Sequence, residues 1–221
     1  MTDPTPTDRR EVLIVGGGGH ARVVIEAASL AGLFPIGVLD DCETPGACDA
    51  PGAPARIAPL NELSDRAQRG ESYVIAIGAL WLRRQIIDQL ARDEVDEHAA
   101  CTVIHPRAVV SPDAILGPGV FVGPGAIVNP GARVGAHAIL NSGCIVEHDA
   151  QIDGNAHIAP GAVLGGGVRI GQDVLIGIGA RVLPGLRVGA GSVVGGGGVV
   201  VKEVPVGRRV VGVPAAACDH V

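Results

Sequence analysis

The sequence predicts an α/β unit with a small parallel, Rossmann-like sheet, followed by an all-β unit that is a parallel β-helix of hexapeptide repeats. Two observations predict this order. Residues 108–203 repeat every six residues without an insertion, and one position of the repeat is aliphatic in all sixteen hexads. Such a period is typical of a β-helix. Residues 11–100 instead alternate short apolar runs with helical patterns, which favours a parallel sheet flanked by helices.

The α/β unit is expected to alternate strands and helices. We predict strands over 11–16, 36–40 and 73–77 and helices over 21–30, 62–69 and 81–92. The intervening residues 42–59 are rich in Pro, Gly and Ala and are expected to be loop. The predicted domains are a flexible tail (1–10), the α/β domain (11–100), the β-helix (101–203) and a C-terminal extension (204–221).

A glycine-rich turn follows the first predicted strand. Gly16, Gly18 and Ala21 fit the pattern G-x-G-x-x-[GA], and an acid, Asp40, follows about twenty residues later. Glycines at these positions let a phosphate approach the backbone N–H groups at a helix N-terminus. The pattern is compatible with NAD, with a sugar-nucleotide diphosphate, and with a tight turn that binds no ligand. Residues 11–100 supply only half of a full dinucleotide fold.

Three hexads make one coil of the β-helix, so residues 18 apart stack on one face of a triangular prism. The residue just before each aliphatic position points outward and names the face. Face A carries Val109, Ile127, Ile145, Val163, Arg181 and Val199; face B carries Ile115, Arg133, Gln151, Arg169 and Arg187; face C carries Phe121, Ile139, His157, Leu175 and Val193.

Faces A and C are mainly apolar, whereas face B is polar. Exposed apolar stripes of this size mark interfaces. A prism with two adjacent apolar faces can close as a three-fold ring with its polar face outward. The pattern therefore predicts a homotrimer.

Two histidines stand where chemistry is possible. His157 lies on the apolar face C, and His148 lies at the corner between faces A and B, flanked by Glu147 and Asp149. In the predicted trimer the two histidines of neighbouring subunits would meet at the mouth of the subunit cleft. A carboxylate beside an imidazole sets its tautomer and supports acid–base catalysis. Purely structural histidines, or a metal site that includes His137, are the alternatives.

The composition excludes several classes of protein. A net charge of −6 and a pI near 5.6 argue against nucleic acid as the main partner. The five cysteines are odd in number and lack CxxC spacing, so neither a disulfide framework nor a zinc knuckle is indicated. Neither a secretory signal nor an apolar run long enough to span a membrane is evident. We therefore expect a cytoplasmic protein that contacts no membrane.

At this point the chain resembles bacterial sugar acyltransferases of the sialic acid O-acetyltransferase (NeuD-like) type, together with the N-acetyltransferases of nucleotide-linked 4-amino-sugars. The resemblance covers nearly the whole chain. Its ordered motifs are VGGGGHARVV (15–24), VLDD (38–41), AIG with Arg83 (76–78), IHPRA (104–108), ILNSGCIVEHD (139–149), HIAPGA (157–162), IGIGARVLPG (176–185) and VGVPA (211–215). The resemblance implies a left-handed β-helix, acetyl-CoA as co-substrate and a nucleotide sugar as acceptor, and no metal is expected.

The resemblance also implies roles for individual residues. His148 corresponds to the general base, with Asp149 as its carboxylate partner. His157 would lie by the acyl group, and Asn141 would line the site. The acyl-CoA slot would be lined by Gly166, Ile178 and Gly196, and the nucleotide would be held by Gly18, Gly19, His20, Asp40, Asp41 and Gly78.

Two departures from the family pattern concern specificity. Ala79, Leu80 and Trp81 stand where the family often has Asp-Asn or Asn-Asn after a glycine. The ending VPAA (213–216) replaces the usual VPAK, so a basic contact to the CoA phosphates is either lost or supplied by Arg208 or Arg209.

Together these observations predict acetyl-CoA-dependent N-acetylation of a UDP-, GDP- or dTDP-linked 4-amino-6-deoxy sugar. The alternatives are O-acetylation of a sugar such as a sialic acid, an NAD-binding module, and a non-catalytic or metal-binding trimer.

Overall fold

The computed structural model describes residues 10–218 and divides the chain into two compact units after Pro106, a few residues beyond the predicted boundary. The predicted tail lies outside the described residues except for Arg10, which belongs to the first strand. Residues 219–221 of the predicted C-terminal extension also lie outside them. Within residues 10–218 no helix has the length and apolar character that crossing a bilayer requires.

The first unit is a parallel sheet with three helices. Its elements are β1 (Arg10–Val15), α1 (Gly19–Leu30), β2 (Leu33–Leu39), β3 (Arg56–Ala58), α2 (Leu63–Gln68), β4 (Tyr73–Ile75), α3 (Leu80–Arg92) and β5 (Val103–Ile104). The strands of the sheet follow the order β3-β2-β1-β4, and all neighbours are parallel. This confirms the predicted α/β architecture.

The strand order creates a crevice at one edge of the sheet. From β1 the chain moves to β2 and β3 on one side and then returns to β4 on the other, so the order reverses between β1 and β4. Ligands of open α/β sheets bind beyond the carboxyl ends of the strands at such a reversal. The loops that follow β1 and β4 therefore occupy the position expected for a ligand site.

The prediction of loop for residues 42–59 was wrong at two places, because Gly46–Cys48 form a short 3₁₀ helix and Arg56–Ala58 form the edge strand β3. The strand is only three residues long, and its neighbours Pro54 and Pro59 have the composition of a loop. Such a strand is held by pairing with β2 rather than by its own pattern, so local sequence carries little sign of it.

The second unit contains sixteen two-residue strands, one in each hexad. They are β6 (Val109–Val110), β7 (Ile115–Leu116), β8 (Phe121–Val122), β9 (Ile127–Val128), β10 (Arg133–Val134), β11 (Ile139–Leu140), β12 (Ile145–Val146), β13 (Gln151–Ile152), β14 (His157–Ile158), β15 (Val163–Leu164), β16 (Arg169–Ile170), β17 (Leu175–Ile176), β18 (Arg181–Val182), β19 (Arg187–Val188), β20 (Val193–Val194) and β21 (Val199–Val200).

These strands form three parallel sheets that coincide with faces A, B and C. Face A contains β6 and every third strand to β21, face B runs from β7 to β19, and face C includes β8 to β20. Each strand pairs with residues 18 positions away, as Ile145 does with Val163. The fold is the predicted left-handed β-helix, and the three faces are those read from the hexads.

The hexads form this prism because each position has a distinct steric task. Fourteen of the sixteen aliphatic side chains are buried, and the two exceptions, Val110 and Leu116, lie in the first coil. Three residues after the aliphatic position the backbone is left-handed at every corner from Gly119 to Gly197. Glycine fills most of these corners, while His137, Asp149, Asn155 and Asp173 fill the others. Asn, Asp and His tolerate this conformation better than most residues.

The predicted C-terminal extension continues the β-helix before it ends. Val204 bridges to Val188 of face B, and β22 (Arg209–Val211) pairs with β20 on face C. The register is now 16 residues, as between Val194 and Val210, so this last coil is two residues shorter than the others. The strand β23 (Ala216–Ala217) then turns back antiparallel to β22.

Replacing Leu164 by alanine should destabilise the β-helix strongly. Its side chain is fully buried in the core of the prism, and leucine-to-alanine changes at such sites cost about 2–5 kcal/mol. Urea denaturation should show this loss in the free energy of unfolding. Val206→Ala, at a side chain that is 69% exposed, is the matched control and should change the value by less than about 0.5 kcal/mol. Equal effects of the two changes would contradict the assignment of Leu164 to the core.

Candidate active site and nucleotide pocket

A pocket of about 510 Å³ lies in the first unit at the carboxyl ends of β1 and β4. All six residues that the resemblance assigned to the nucleotide line it: Gly18, Gly19, His20, Asp40, Asp41 and Gly78. Apolar side chains contribute the rest of the wall, chiefly Leu60, Ile77 and Leu82. The structure therefore brings together residues that are up to sixty positions apart in the sequence.

The four consecutive glycines of this pocket serve two purposes. A side chain on Gly16 would collide with Ile77, and one on Gly17 would collide with Pro45. Gly18 and Gly19, in contrast, face open space. The first pair allows the loop to pack against its neighbours, and the second pair leaves the N-terminus of α1 accessible. That N-terminus has neither a side-chain cap nor an acidic residue in its first turn, which suits an anionic ligand.

Asp40 organises the glycine loop through its carboxylate. One oxygen accepts a hydrogen bond from the Gly17 N–H at 2.6 Å, and the other accepts from the Cys42 N–H at 2.7 Å. Asp41 is exposed, and it accepts a hydrogen bond from the Leu60 N–H at 3.0 Å. Asp40 therefore shapes the pocket, while Asp41 presents a carboxylate at its rim.

His20 and Arg83 give the pocket its electrostatic character. Burial lowers the pKa of His20 to about 4, and the positive charge of Arg83 adds to the effect. The imidazole is therefore neutral at physiological pH. Arg83 is fully buried and donates to the carbonyl oxygens of Ile77 and Gly78, at 3.0 and 3.3 Å. Arg83 therefore holds the loop after β4 in place. The sequence places Arg83 with the AIG motif but does not reveal this structural role.

His148 and Asp149 form a hydrogen-bonded pair at the corner between faces A and B. The His148 Nδ1 lies 2.9 Å from the Asp149 Oδ2. Asp149 occupies one of the left-handed corner positions (φ 59°). The hydrogen bond to Asp149 raises the pKa of His148, and the charges of Asp149 and Glu147 add to this. With Nδ1–H donated to the carboxylate, Nε2 is left to accept a proton.

Glycines on the adjacent coils lie against this pair. A Cβ atom built on Gly166 would lie 2.6 Å from the His148 Nε2, and one built on Gly131 would lie 2.6 Å from the Asp149 Oδ1. Gly166, which the resemblance assigned to the acyl-CoA slot, thus lies against the Nε2 edge of the imidazole. The N–H of Gly166 takes part in no backbone hydrogen bond of the described residues.

His157 pairs with Asn141 on face C, where β11 and β14 are neighbours. The Asn141 Nδ2 lies 3.2 Å from the His157 Nε2. The amide is oriented by the Ser142 N–H, which donates to the Asn141 Oδ1 at 2.8 Å. Nδ2 is therefore the donor toward the imidazole, and Nε2 of His157 is the acceptor.

Within one chain the predicted catalytic residues and the predicted substrate- and acyl-CoA-binding residues form separate groups. His148, Asp149 and Gly166 lie at the corner between faces A and B, whereas His157 and Asn141 belong to face C. Ile178 and Gly196 stack on each other at the corner between faces C and A, where Gly197 donates to the Ile178 carbonyl. No group of three His, Cys, Asp or Glu residues within residues 10–218 is arranged to hold a metal ion.

Comparison with known proteins identifies the family. The model of the PglD N-terminal domain matches residues 11–90. A histidine-to-alanine variant of GDP-perosamine N-acetyltransferase from Caulobacter crescentus, solved with CoA and GDP-perosamine, is 35% identical, and the match covers 95% of this chain and 97% of that one at a TM-score of 0.85. The chain belongs to the NeuD-like family of bacterial sugar acyltransferases.

A second relative supports this assignment, and a more distant protein shares the fold. The acetyltransferase domain of PglB from Neisseria gonorrhoeae, solved with acetyl coenzyme A, is 34% identical over 95% of this chain and 100% of that one, at a TM-score of 0.85. WeeI from Acinetobacter baumannii, at 24% identity and a TM-score of 0.79 over 95% and 100% of the two chains, shares the fold. A comparison with curated protein sequences finds no significant match. As a NeuD-like protein the chain is an acyltransferase, with acetyl-CoA as co-substrate.

Proposed function

We propose that the enzyme transfers the acetyl group of acetyl-CoA to the amino group of a UDP-, GDP- or dTDP-linked 4-amino-6-deoxy sugar. The observation that carries this proposal is the pairing of His148 with Asp149 beside Gly166. The glycine-lined pocket supports it, because an open helix N-terminus suits the diphosphate of a nucleotide sugar. The relative from Caulobacter crescentus that is a GDP-perosamine N-acetyltransferase supports an amino sugar as acceptor.

The proposed reaction is direct transfer from the thioester to the amine. The amine lone pair attacks the carbonyl carbon, and His148 Nε2 takes a proton from the nitrogen as the tetrahedral intermediate forms. The imidazolium is stabilised by Asp149, which already accepts the hydrogen bond from Nδ1. The C–S bond then breaks, and the His148 imidazolium returns the proton to the departing CoA sulfur as the amide forms. A base placed in this way contributes about 10²- to 10⁴-fold to the rate.

The developing negative charge on the carbonyl oxygen requires a hydrogen-bond donor. We propose the N–H of Gly166 for this task, because Gly166 lies against the His148 ring and its N–H is not used by the coil above or below. His157 is a second candidate donor. Donors of this kind are worth about 2.7–4 kcal/mol each in other acyl-transfer enzymes.

We further propose a homotrimer with active sites between subunits. His148 and Asp149 are 65% and 73% exposed in the single chain, so their site is open on one side. Most outward residues of face A, and the later residues of face C such as Leu175 and Val193, are only half-buried. Phe121 and Ile139 of face C are already buried, so the open part of that face begins at His157. This is the part that would meet His148 of a neighbouring subunit.

Thiol release from acetyl-CoA tests the proposed substrate class. We expect release with one of a panel of UDP-, GDP- and dTDP-linked 4-amino sugars, and none with the same sugars bearing a hydroxyl in place of the amine. Mass spectrometry of the product should show one added acetyl group on nitrogen. Release with free sialic acid, but with no amino sugar, would contradict the proposal and favour O-acetylation.

The pH dependence of kcat/KM should report the titration of His148. The base must be neutral, so activity should rise with pH through its pKa, which lies above the ordinary 6.5. Asp149→Asn removes the negative charge and weakens the hydrogen bond that raise this pKa, so the rise should move to lower pH while the maximal rate falls. The substrate amine titrates equally in both measurements and cancels in the comparison. An unchanged midpoint in Asp149→Asn would show that another group controls the profile.

A further inference from the structure

The one tryptophan of the chain stands beside the nucleotide pocket. Trp81 is 66% exposed, more than any other Trp, Tyr or Phe side chain of the described residues. Tyr73 and Phe121 are buried, and Phe34 is 45% exposed on β2. Tryptophan carries a large apolar surface that proteins usually cover, and exposed tryptophans commonly contact a ligand or partner. The exposure of Trp81 therefore indicates contact with a ligand or a partner.

Its position in α3 points toward the nucleotide. Ala79, the N-cap of α3, and Leu82, in its first turn, both line the pocket, and Trp81 lies between them. Side chains of a helix tilt toward its N-terminus, which here is the end that borders the pocket. Trp81 does not itself line the pocket, but its exposed indole lies in the first turn of the helix whose N-terminus borders the pocket.

The chemistry of the pocket wall also favours stacking over hydrogen-bonded recognition of a base. Ile77 and Leu82 make the wall apolar on the side of β4 and α3, and Leu60, which follows β3, adds a further apolar side chain. Asp40 is already engaged with the glycine loop, and the Asp41 carboxylate lies at the rim. A base held against such a wall gains affinity mainly from covering its faces. An aromatic ring can provide this for any base, and a two-ring purine offers more surface than a pyrimidine.

We propose that Trp81 is the stacking surface for the nucleobase of the sugar substrate, and that it makes the enzyme prefer a purine nucleotide. This inference rests on the proposed function, since it assigns the base of the nucleotide that the pocket is proposed to hold. Trp81 is thus a specificity-determining residue.

The indole itself provides the measurement. We expect titration of the full-length protein with GDP or ADP to change the fluorescence of Trp81, with saturation at concentrations several-fold lower than for UDP or dTDP. Calorimetry should then show that Trp81→Ala weakens binding of GDP by roughly 5- to 150-fold, the range for loss of one stacked base. Trp81→Phe should restore most of the affinity, and Phe34→Ala, an exposed aromatic on β2, should leave it unchanged.

The outcomes separate this inference from the proposed function. Binding of GDP with normal affinity to Trp81→Ala, or tighter binding of UDP than of GDP by the wild type, would overturn the inference and leave acetyl transfer standing. Absence of nucleotide binding together with absence of thiol release would overturn both. A fluorescence change that follows protein dilution, with no response to nucleotide, would assign Trp81 to a subunit contact and also overturn the inference.

Discussion

Replacing His148 by alanine should lower kcat/KM for acetyl transfer by about 10²- to 10⁴-fold, the loss expected when a general base is removed. The imidazole is held by Asp149 at 2.9 Å, and its Nε2 is directed at the backbone of Gly166. The pair is exposed at a corner of the prism, so the change should not disturb the core. Most of the loss should fall on kcat, because the base acts in the transition state.

The control for this change is His98→Ala. His98 is an exposed residue of the first unit, and it belongs neither to the glycine-lined pocket nor to the His148–Asp149 pair. Both variants should unfold at the temperature of the wild type and elute from gel filtration as the wild type does. A His148→Ala enzyme with more than about a tenth of normal activity would contradict general-base catalysis, and proton removal by water would then suffice.

Replacing Gly166 by alanine should cost about 10²-fold in kcat, which is the penalty typical of displacing a catalytic group by about 1 Å. The added methyl carbon would lie 2.6 Å from the His148 Nε2 and 2.7 Å from its Cε1. The backbone of Gly166 does not have the left-handed conformation that penalises alanine. The ring of His148 is exposed and can rotate away, so the loss should appear in activity rather than in stability.

Gly154→Ala is the matched control for Gly166→Ala. Gly154 occupies the same position of its hexad, and its added methyl would lie 3.3 Å from the carbonyl oxygen of Ala136 without meeting a catalytic side chain. We expect near-normal kcat from this variant. Equal loss of activity in the two variants, or a Gly166→Ala enzyme with normal kcat, would reject the idea that Gly166 fixes the position of the imidazole.

The fold could be predicted because its determinants are periodic. An aliphatic residue in every sixth position is buried in the same way in every hexad only if the chain forms a β-helix. Because one coil contains 18 residues, grouping residues 18 apart gave faces A, B and C directly. Where the 18-residue period changes, the prediction of β-helix strands failed. The last coil is two residues shorter, so β22 was assigned to an extension rather than to face C.

The site could be predicted residue by residue only in part, because side-chain partners depend on neighbours remote in sequence. Asp40 and Asp41 are adjacent and look alike, yet Asp40 turns to the glycine loop while Asp41 lies at the rim. Gly166 was expected to line the acyl-CoA slot, but its contact with His148 arises from stacking of coils. Arg83 has no local sign of burial, since it occupies a helix that is otherwise amphipathic, and only its carbonyl partners reveal its role.

The regular 18-residue pairing of the β-helix determines which coils should open most easily, and so how stable the geometry of the candidate active site should be. Each inner coil is hydrogen-bonded to the coils directly above and below it, so we expect opening to begin at the two ends of the stack and to travel inward one coil at a time. Amide hydrogens near the ends should exchange with solvent through local opening, which has a low free-energy cost. Amide hydrogens in the middle should exchange only after several coils have separated. His148 lies in the third coil and Gly166 in the fourth, with further coils on both sides. The His148–Asp149 pair therefore lies in the part of the stack that should open most slowly. Its geometry should persist when the coils at either end of the stack open.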